Sequence, residues 1–291
     1  MAGADSIGLK ITGKPKDIGG FEVRRLLPVA QRRSVGAFVF LDHMGPALLA
    51  KGEGMDVGPH PHIGLATVTY LYEGSIFHRD SLGSEQEISP GDVNWMTAGR
   101  GIVHSERSSE AARATERTVH GLQMWVALPR ECEEMEPAFV HTPKSALPEL
   151  SGEGWQGRLI AGSLYGKTSP VATLSRLFFA DIRADAGTSL LFAPDYEEAA
   201  VYVVEGELDI DGTTVDAGTL AVLDAHPEVT LTTMKETVFA VFGGDALPEP
   251  RHMYWNFVST SRERIEQAKN DWRARRFDPV PGDDGYVPLP E

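Results

Sequence analysis

The chain contains 291 residues, of which 42% are hydrophobic and 24% are charged, so its composition is that of an ordinary globular protein. Its 27 basic residues stand against 42 acidic ones, which gives a net charge of −15. Such an acidic surface disfavours direct binding to nucleic acid or to anionic membranes. The single cysteine, Cys132, excludes an intramolecular disulfide bond and a metal site built from several cysteines.

Length and hydropathy further narrow the class of protein. At roughly 100–200 residues per domain, a chain of this length predicts two domains. The first residues lack the apolar stretch of a signal peptide, and no apolar run approaches the roughly 18–20 residues of a transmembrane helix. We therefore expect a soluble, cytoplasmic protein that does not associate with membranes.

Short apolar or β-branched segments recur between Gly, Pro and Asp residues along most of the chain, which is the pattern of an all-β fold. In chain order these segments are FEVRRLLP, AFVFLDHM, ATVTYLYEG, DVNWMTAG, HGLQMWVAL, LFFADIRA, AVYVVEGELDI, TLAVL, EVTLTT and TVFAVFGG.

One segment near the C-terminus has helical periodicity instead. Ile265 and Trp272 lie on one predicted apolar stripe, and Thr260 with Glu263 has the spacing of a capping box. We expect a single amphipathic helix over residues 260–276.

An internal similarity divides the chain into two related halves. Residues 70–74 read YLYEG and residues 202–206 read YVVEG, and each is followed by a Gly-containing turn into another strand. The pattern indicates two β-barrels or sandwiches in tandem. We expect an N-terminal domain over residues 1–135, a linker over 136–156, a second domain over 157–245 and a C-terminal segment over 246–291.

Two short motifs in the first half have the spacing of metal ligands. His60 and His62 are two residues apart, so in an extended strand both imidazoles project from the same face. His104 and Glu106 repeat this spacing with an imidazole and a carboxylate. These ligand types suit Fe, Mn, Co, Ni, Cu or Zn, and the absence of thiolates argues against a closed structural zinc site. The sequence therefore predicts one divalent metal ion held by His60, His62, His104 and Glu106.

The order of these motifs resembles that of the cupin superfamily, with one displacement. His60, His62 and Gly74 fit the first cupin motif, but Thr67 occupies the position of its glutamate, and Glu106 supplies the carboxylate from the second motif. This arrangement resembles the pirin family. The resemblance rests on the stretch GPHPHIG…TYLYEG…PGDVNWMTAGRGIVHSE, together with FLDHMGP and HGLQMWV, and it covers most of the chain.

The resemblance to pirins implies two tandem cupin barrels of the jelly-roll type, with a C-terminal helix. It implies a metal, commonly iron and here expected as Fe(II), in the N-terminal barrel. It also implies a second barrel without a metal site. Consistent with this, aligning the two halves places Phe192 and Pro194 opposite the first histidine pair, and Leu231 and Thr233 opposite His104 and Glu106.

Some pirins act as flavonol dioxygenases, so the resemblance implies an oxidoreductase of the quercetin 2,3-dioxygenase type as the leading hypothesis. Its partners would be a small aromatic flavonol and dioxygen, and Glu106 would be the catalytic base that accepts the proton of the flavonol 3-hydroxyl. Apolar residues such as Trp95 and Met96 are expected to line the substrate site.

The alternative hypothesis is a non-catalytic, iron-binding protein whose redox state controls binding to a protein partner, such as a transcription factor. The sequence does not separate this hypothesis from the enzymatic one.

Six other histidines have no partner at the spacing of metal ligands and are interpreted as structural or surface residues. Among them, His43 beside Asp42 is a candidate neighbour of a ligand. The six are His43, His78, His120, His141, His226 and His252.

Overall fold

The structure is a computed structural model that describes residues 6–18, 20–224 and 228–290. It consists mostly of β-strands, which confirms the predicted all-β fold. Among the described residues, no helix is both long and apolar enough to cross a lipid bilayer.

The strands of the first half, in chain order, are β1 (Ile7–Thr12), β2 (Lys14–Asp17), β3 (Glu22–Leu27), β4 (Phe38–Leu49), β5 (Asp56–His62), β6 (Leu65–Glu73), β7 (Ile76–Asp80), β8 (Glu85–Ile88), β9 (Val93–Thr97), β10 (Ile102–Arg107), β11 (Arg117–Ala127) and β12 (Ala138–Thr142). Those of the second half are β13 (Glu149–Gly152), β14 (Trp155–Leu164), β15 (Lys167–Thr168), β16 (Leu177–Ala184), β17 (Ser189–Phe192), β18 (Glu198–Glu205), β19 (Glu207–Ile210), β20 (Thr213–Asp216), β21 (Thr219–Leu223), β22 (Val229–Thr233), β23 (Thr237–Gly244), β24 (His252–Tyr254) and β25 (Phe257–Ser259). The helices are α1 (Glu110–Arg113) and α2 (Arg262–Arg273), with 3₁₀ turns at Arg130–Cys132 and Lys144–Ala146.

The chain divides into two compact units, each discontinuous in sequence. The unit called here the N-terminal unit comprises Pro15–Arg25, Phe40–Lys144 and Pro248–Glu291. The unit called here the C-terminal unit comprises Met1–Lys14, Leu26–Val39 and Ser145–Leu247. The sequence-based boundaries used contiguous segments and stay predictions.

Both units contain a large sheet and a four-stranded sheet with matching strand orders. In the N-terminal unit the orders are β12-β9-β6-β11-β4-β3-β2 and β5-β10-β7-β8. In the C-terminal unit they are β1-β21-β18-β23-β16-β14-β13 and β17-β22-β19-β20. The small sheet of the C-terminal unit repeats the strand order of the small sheet of the N-terminal unit. In the large sheets, β21-β18-β23-β16 repeats the order of β9-β6-β11-β4. The repeated topology confirms two tandem cupin domains, built as jelly-roll-like sandwiches rather than closed barrels.

Strand β1 occupies the sheet position beside β21 that β12 occupies beside β9 in the other unit. It pairs antiparallel with β21, with Ile7 opposite Leu223 and Ile11 opposite Leu220. Ile7 and Ile11 are buried and Leu9 between them is half-buried, as expected for a strand with one face against the core. The added strand covers an edge that would otherwise expose unpaired backbone groups.

The C-terminal helix is confirmed, but its predicted cap is not the observed one. Helix α2 begins after Ser261, whose hydroxyl accepts a hydrogen bond from the backbone N–H of Arg264 at 3.2 Å. Thr260 is instead bound to Glu133, a buried carboxylate that accepts its backbone N–H at 2.9 Å. Ser261 and Thr260 both suit a cap by residue type, and Thr260 is engaged by this tertiary contact. The apolar stripe is buried as predicted and consists of Ile265, Ala268 and Trp272.

The core of the C-terminal unit provides a test of packing. Phe178 has no exposed surface and contacts Phe192 and Tyr196, with ring centroids 6.0 and 4.9 Å away. We expect Phe178→Ala to lower the free energy of unfolding by about 3–5 kcal/mol, because it removes a buried ring and leaves a cavity. Urea denaturation measures this change. Leu191→Ala is the matched control, since Leu191 is 60% exposed and should change stability by less than about 0.5 kcal/mol.

Candidate metal centre

Strand register brings three histidines together in the N-terminal unit. His60 and His62 project from the same face of β5, and β10 pairs antiparallel with β5 so that His104 lies directly opposite His60. The three side chains are buried, and one ligand nitrogen from each lies within 4.8 Å of the others. The structure therefore brings together three of the four residues that the spacing predicts as metal ligands.

The turn before β10 depends on Gly99, which has a φ of +52°. A Cβ at this position would overlap the carbonyl oxygen of Met135. The left-handed backbone and the close approach both favour glycine. Gly99 thus helps to start β10 in the register that places His104 at the site.

Glu106 lies on the same strand but outside the group of three imidazoles. The pairing of β10 with β5 shifts between His104 and Glu106, so Glu106 is opposite Val57. Its Oε1 accepts a hydrogen bond of 3.3 Å from the Thr69 hydroxyl. Burial raises the pKa of Glu106, while His78 and Thr69 act in the opposite direction. Its role as a fourth ligand stays a prediction.

Contacts at Nδ1 orient two of the three imidazoles, those of His60 and His104. Nδ1 of His60 lies 2.8 Å from the carbonyl oxygen of Gly58, which can only accept, so Nδ1 of His60 carries the proton and Nε2 carries the lone pair. Nε2 of His62 and Nε2 of His104 are 3.0 Å apart. Nδ1 of His104 points away from this contact, toward Nδ1 of His78 at 3.3 Å.

The buried imidazoles favour the neutral form. Burial lowers the pKa of His60 to about 4, and it lowers the pKa values of His62 and His104 well below the ordinary value. Neighbouring imidazoles lower the last two further. Neutral imidazoles present lone pairs, which is the form that binds a transition metal. Metal–nitrogen bonds of about 2.0–2.1 Å at a right angle would separate two nitrogens by about 3 Å, close to the 3.0 Å between His62 and His104. The donor set thus fits a divalent transition-metal ion.

Comparison with known proteins relates this geometry to a family. Residues 20–126 match the family described as Pirin, and residues 179–278 match the family described as Pirin C-terminal cupin domain. A pirin-like protein of Caulobacter vibrioides is 44% identical over 98% of this chain and 100% of its own length. The chain belongs to the pirin family. This confirms the family that the motifs indicated.

Solved structures of related proteins share the bicupin fold of this pirin. Quercetin 2,3-dioxygenase from Acinetobacter baumannii is 34% identical, with a TM-score of 0.91 over 97% of this chain and 95% of that one. A bacterial pirin from Escherichia coli, solved in complex with nickel(II), is 17% identical with a TM-score of 0.64 over 82% of this chain and 99% of that one. The second likeness shows the fold alone.

An aromatic wall lies beside the pirin site, although one of its predicted members faces elsewhere. Trp125 contacts His62 edge to face at 5.2 Å between centroids, and Phe40 stacks on Trp125 at 3.9 Å. Trp95, predicted to line the site, is opposite Val68 in the sheet, whereas Met96 is opposite Thr67. Because adjacent strand residues face opposite sides, Met96 shares the face of Thr67 and Thr69, and Trp95 does not. The prediction for Trp95 was wrong.

His78 is the residue near the site that sequence reasoning missed. It is buried, it contacts His104 as described above, and its Nε2 lies 3.0 Å from Asp80 Oδ2. The spacing His78-x-Asp80 on a strand was visible in the sequence, but nothing in the sequence indicated that β7 pairs with β10. The register places Asp80 opposite His104 and His78 opposite Glu106.

The other histidines occupy different surroundings. His43 and His120 are buried together, with their Nε2 atoms 2.7 Å apart. His141 is partly buried beside Asn94, 2.8 Å from Nδ1 to Oδ1, and His252 lies on β24. His226 lies outside the described residues.

In the C-terminal unit, the positions aligned with the histidines contribute to the core. Phe192 and Leu231 have no exposed surface and belong to one apolar cluster of that unit. The face that carries imidazoles in the N-terminal unit is therefore filled with apolar side chains at these two positions.

Metal binding by the three imidazoles can be measured directly. We expect the metal-free chain to bind about one Co(II) ion, and His62→Ala to lose at least tenfold in affinity, because it removes one of three converging donors. Equilibrium dialysis followed by metal analysis checks this. His252→Ala is the matched control and should bind like the unmodified chain. Equal binding by all three proteins would exclude these imidazoles as the metal site.

The His43–His120 pair predicts a stability change in acid. Burial lowers the pKa of His43 to about 3, with further lowering by Arg24 and His120. The unfolded chain binds this proton near pH 6.5, so stability is fully present above that pH and falls as pH drops toward 3. The loss is at most about 1.4 kcal/mol per pH unit for one group. Unfolding free energies measured from pH 7 to pH 4 should fall more steeply for the unmodified chain than for His43→Gln. Equal slopes would contradict the prediction.

Proposed function

We propose that this pirin is a metal-dependent dioxygenase that cleaves the ring of a flavonol, as a quercetin 2,3-dioxygenase does. The observation that carries the proposal is the convergence of three buried, neutral imidazoles, His60, His62 and His104. The likeness to the Acinetobacter baumannii enzyme, at 34% identity over nearly the whole chain, supports the reaction class. Glu106 completes the proposed ligand set, and Fe(II) is the proposed metal.

The ligand set explains what a bound metal would contribute. When bound, an Fe(II) ion would supply Lewis acidity toward the substrate hydroxyl, redox activity, and open coordination positions beside the three imidazoles and the carboxylate. Zinc also binds imidazole nitrogen but has no redox activity. The proposed chemistry therefore requires a redox-active metal in these donors.

Glu106 is the proposed base that accepts the proton of the flavonol 3-hydroxyl. A buried carboxylate beside a bound hydroxyl is a group of the kind that acts as a general base. The Thr69 hydroxyl lies 3.3 Å from Oε1 and shares its single proton between Glu106 and Gln123. It thus contacts one carboxylate oxygen and leaves the other available to the metal or to a substrate. Glu106 would take the proton from the hydroxyl and return it after ring cleavage.

Thr69 links the proposed base to the large sheet. Its hydroxyl also lies 2.9 Å from Gln123 Oε1 on β11, so Thr69, Gln123 and Glu106 form a polar row. Trp125 lies two residues after Gln123 on β11 and projects from the same face, against His62. A flat aromatic substrate would find an apolar wall at Trp125 and polar groups beside it.

Oxygen consumption tests the proposed function. The chain, loaded anaerobically with Fe(II), should take up oxygen on addition of quercetin, with parallel loss of the flavonol absorbance. Glu106→Gln should lower kcat by about 10²–10⁴-fold, because an amide cannot accept the proton. Metal content is measured for each variant, so loss of the ion is separated from loss of the base.

Glu85→Gln is the control for this experiment. Glu85 forms an exposed ion pair with Arg79 on β7 and β8 and contacts none of the proposed ligands. Its replacement should leave oxygen uptake unchanged. No oxygen uptake by the unmodified chain, despite about one iron per chain, would overturn the proposal and favour a metal-containing protein that binds another protein.

A further inference from the structure

Asp80 and His78 connect the sheet backbone to the candidate metal ligand His104. Strand β7 pairs with β10 so that Asp80 lies directly opposite His104. The polar atoms form a chain, from Asp80 Oδ2 to His78 Nε2 at 3.0 Å and from His78 Nδ1 to His104 Nδ1 at 3.3 Å. The side chains of His78 and Asp80 are 4% and 0% exposed, so water does not compete for these contacts.

The two oxygens of Asp80 have different partners. Oδ1 accepts hydrogen bonds from the backbone N–H groups of Leu82 and Ser84, at 2.9 and 3.0 Å. These amides belong to the turn between β7 and β8 and can only donate. Oδ1 is therefore fixed toward the turn, and Oδ2 is fixed toward His78. Burial alone would raise the pKa of Asp80, but hydrogen bonds from His78 and Ser84 hold it below its ordinary value, so the carboxylate is the acceptor.

The orientation of His78 then determines the proton on His104. A carboxylate oxygen requires a donor, so Nε2 of His78 carries a proton. In a neutral ring the other nitrogen is an acceptor, and here that atom is Nδ1, which faces Nδ1 of His104. Phe139 stacks on the His78 ring at 4.2 Å with an interplanar angle of 11°, which fixes the ring plane. Nδ1 of His104 must therefore be the donor.

We infer that Asp80 and His78 are positioning residues that hold His104 as its Nδ1–H tautomer, with the Nε2 lone pair directed at the metal. Gly58 fulfils the same role for His60 through its backbone carbonyl, as described above. For His104, by contrast, the hydrogen bonds that fix the tautomer pass through two side chains. Substitution of one of them can therefore reverse which nitrogen of His104 carries the proton. The inference rests on the metal centre of the proposed function.

Asp80→Asn tests the direction of the hydrogen bonds from residue 80 through His78 to His104, because asparagine has nearly the same shape as aspartate. The asparagine oxygen must accept the N–H groups of Leu82 and Ser84, so its NH₂ group faces His78. His78 then accepts at Nε2 and donates from Nδ1, which makes His104 accept at Nδ1 and carry its proton on Nε2. The wrong tautomer of a metal ligand should weaken Co(II) binding by about 10–100-fold. Competition against a chromophoric chelator measures the dissociation constant.

A second readout follows the tautomer itself. In the metal-free chain labelled with ¹⁵N-histidine, nitrogen shifts should report Nδ1–H for His104 in the unmodified protein and Nε2–H in Asp80→Asn. A purely structural role for Asp80 would not exchange the two nitrogens. The matched control is Asp56→Asn, because Asp56 lies on β5 with His60 but is paired with Arg113 and contacts none of the histidines in the described part of the chain. Its dissociation constant and histidine shifts should stay unchanged.

Substitutions of His78 keep the inference testable if Asp80→Asn does not fold. The side-chain amide of His78→Gln can donate to Asp80 and accept from His104 at once, so Co(II) affinity should stay within about threefold of that of the unmodified chain. His78→Leu removes both contacts and should weaken binding by about 10–100-fold.

Three results would overturn the inference: equal Co(II) affinity in the unmodified chain and Asp80→Asn, unchanged His104 shifts in that variant, or protons on both nitrogens of His78 in the unmodified chain. If the unmodified chain binds no Co(II), the metal centre of the proposed function fails as well. If it binds Co(II) and the variants match it, only the role of Asp80 and His78 fails.

Discussion

The register of β10 between β5 and β7 is the constraint on which the site depends. On one side it places His104 opposite His60, and on the other it places His104 opposite Asp80. A slip of one residue would turn every side chain of β10 to the other face, because the side-chain period of a strand is two. The backbone hydrogen bonds of this small sheet therefore set both the candidate ligands and the groups that orient them.

The same sheet order occurs in both units, but the buried face differs in chemistry. In the C-terminal unit Phe192 and Leu231 fill the face with apolar atoms and need no hydrogen bonds. In the N-terminal unit each buried imidazole has two polar nitrogens, which are costly to bury without partners. Gly58 and His78 supply such partners for His60 and His104. The polar residues on this face therefore need specific partners around them. Apolar residues in the same positions would need none.

Much of the fold and the histidines of the site could be predicted from the sequence, because both depend on local periodicity. Alternating apolar segments predicted the strands, and the i, i+2 spacing of His60 and His62 placed both on one face of β5. The partners of His104 could not be predicted in this way. His78 and Asp80 are adjacent to it only through the pairing of β7 with β10, and strand pairing is a tertiary property. Trp95 was assigned to the wrong face because adjacent strand residues alternate, and the sequence alone did not show which of Trp95 and Met96 faces the site.

The convergence of neutral imidazoles also links metal binding to folding. The unfolded chain gains protons on these histidines near pH 6.5, whereas burial keeps them neutral in the folded chain to a lower pH. Protons and metal ions therefore compete for the same Nε2 lone pairs. A metal that binds only the folded chain stabilises it, and the stabilisation grows with the logarithm of the ratio of metal concentration to dissociation constant. An Asp80–His78 pair that holds the Nε2 lone pair of His104 toward the site lowers the reorganisation needed on binding. The strand register therefore contributes to metal affinity by orienting His104 before the metal binds.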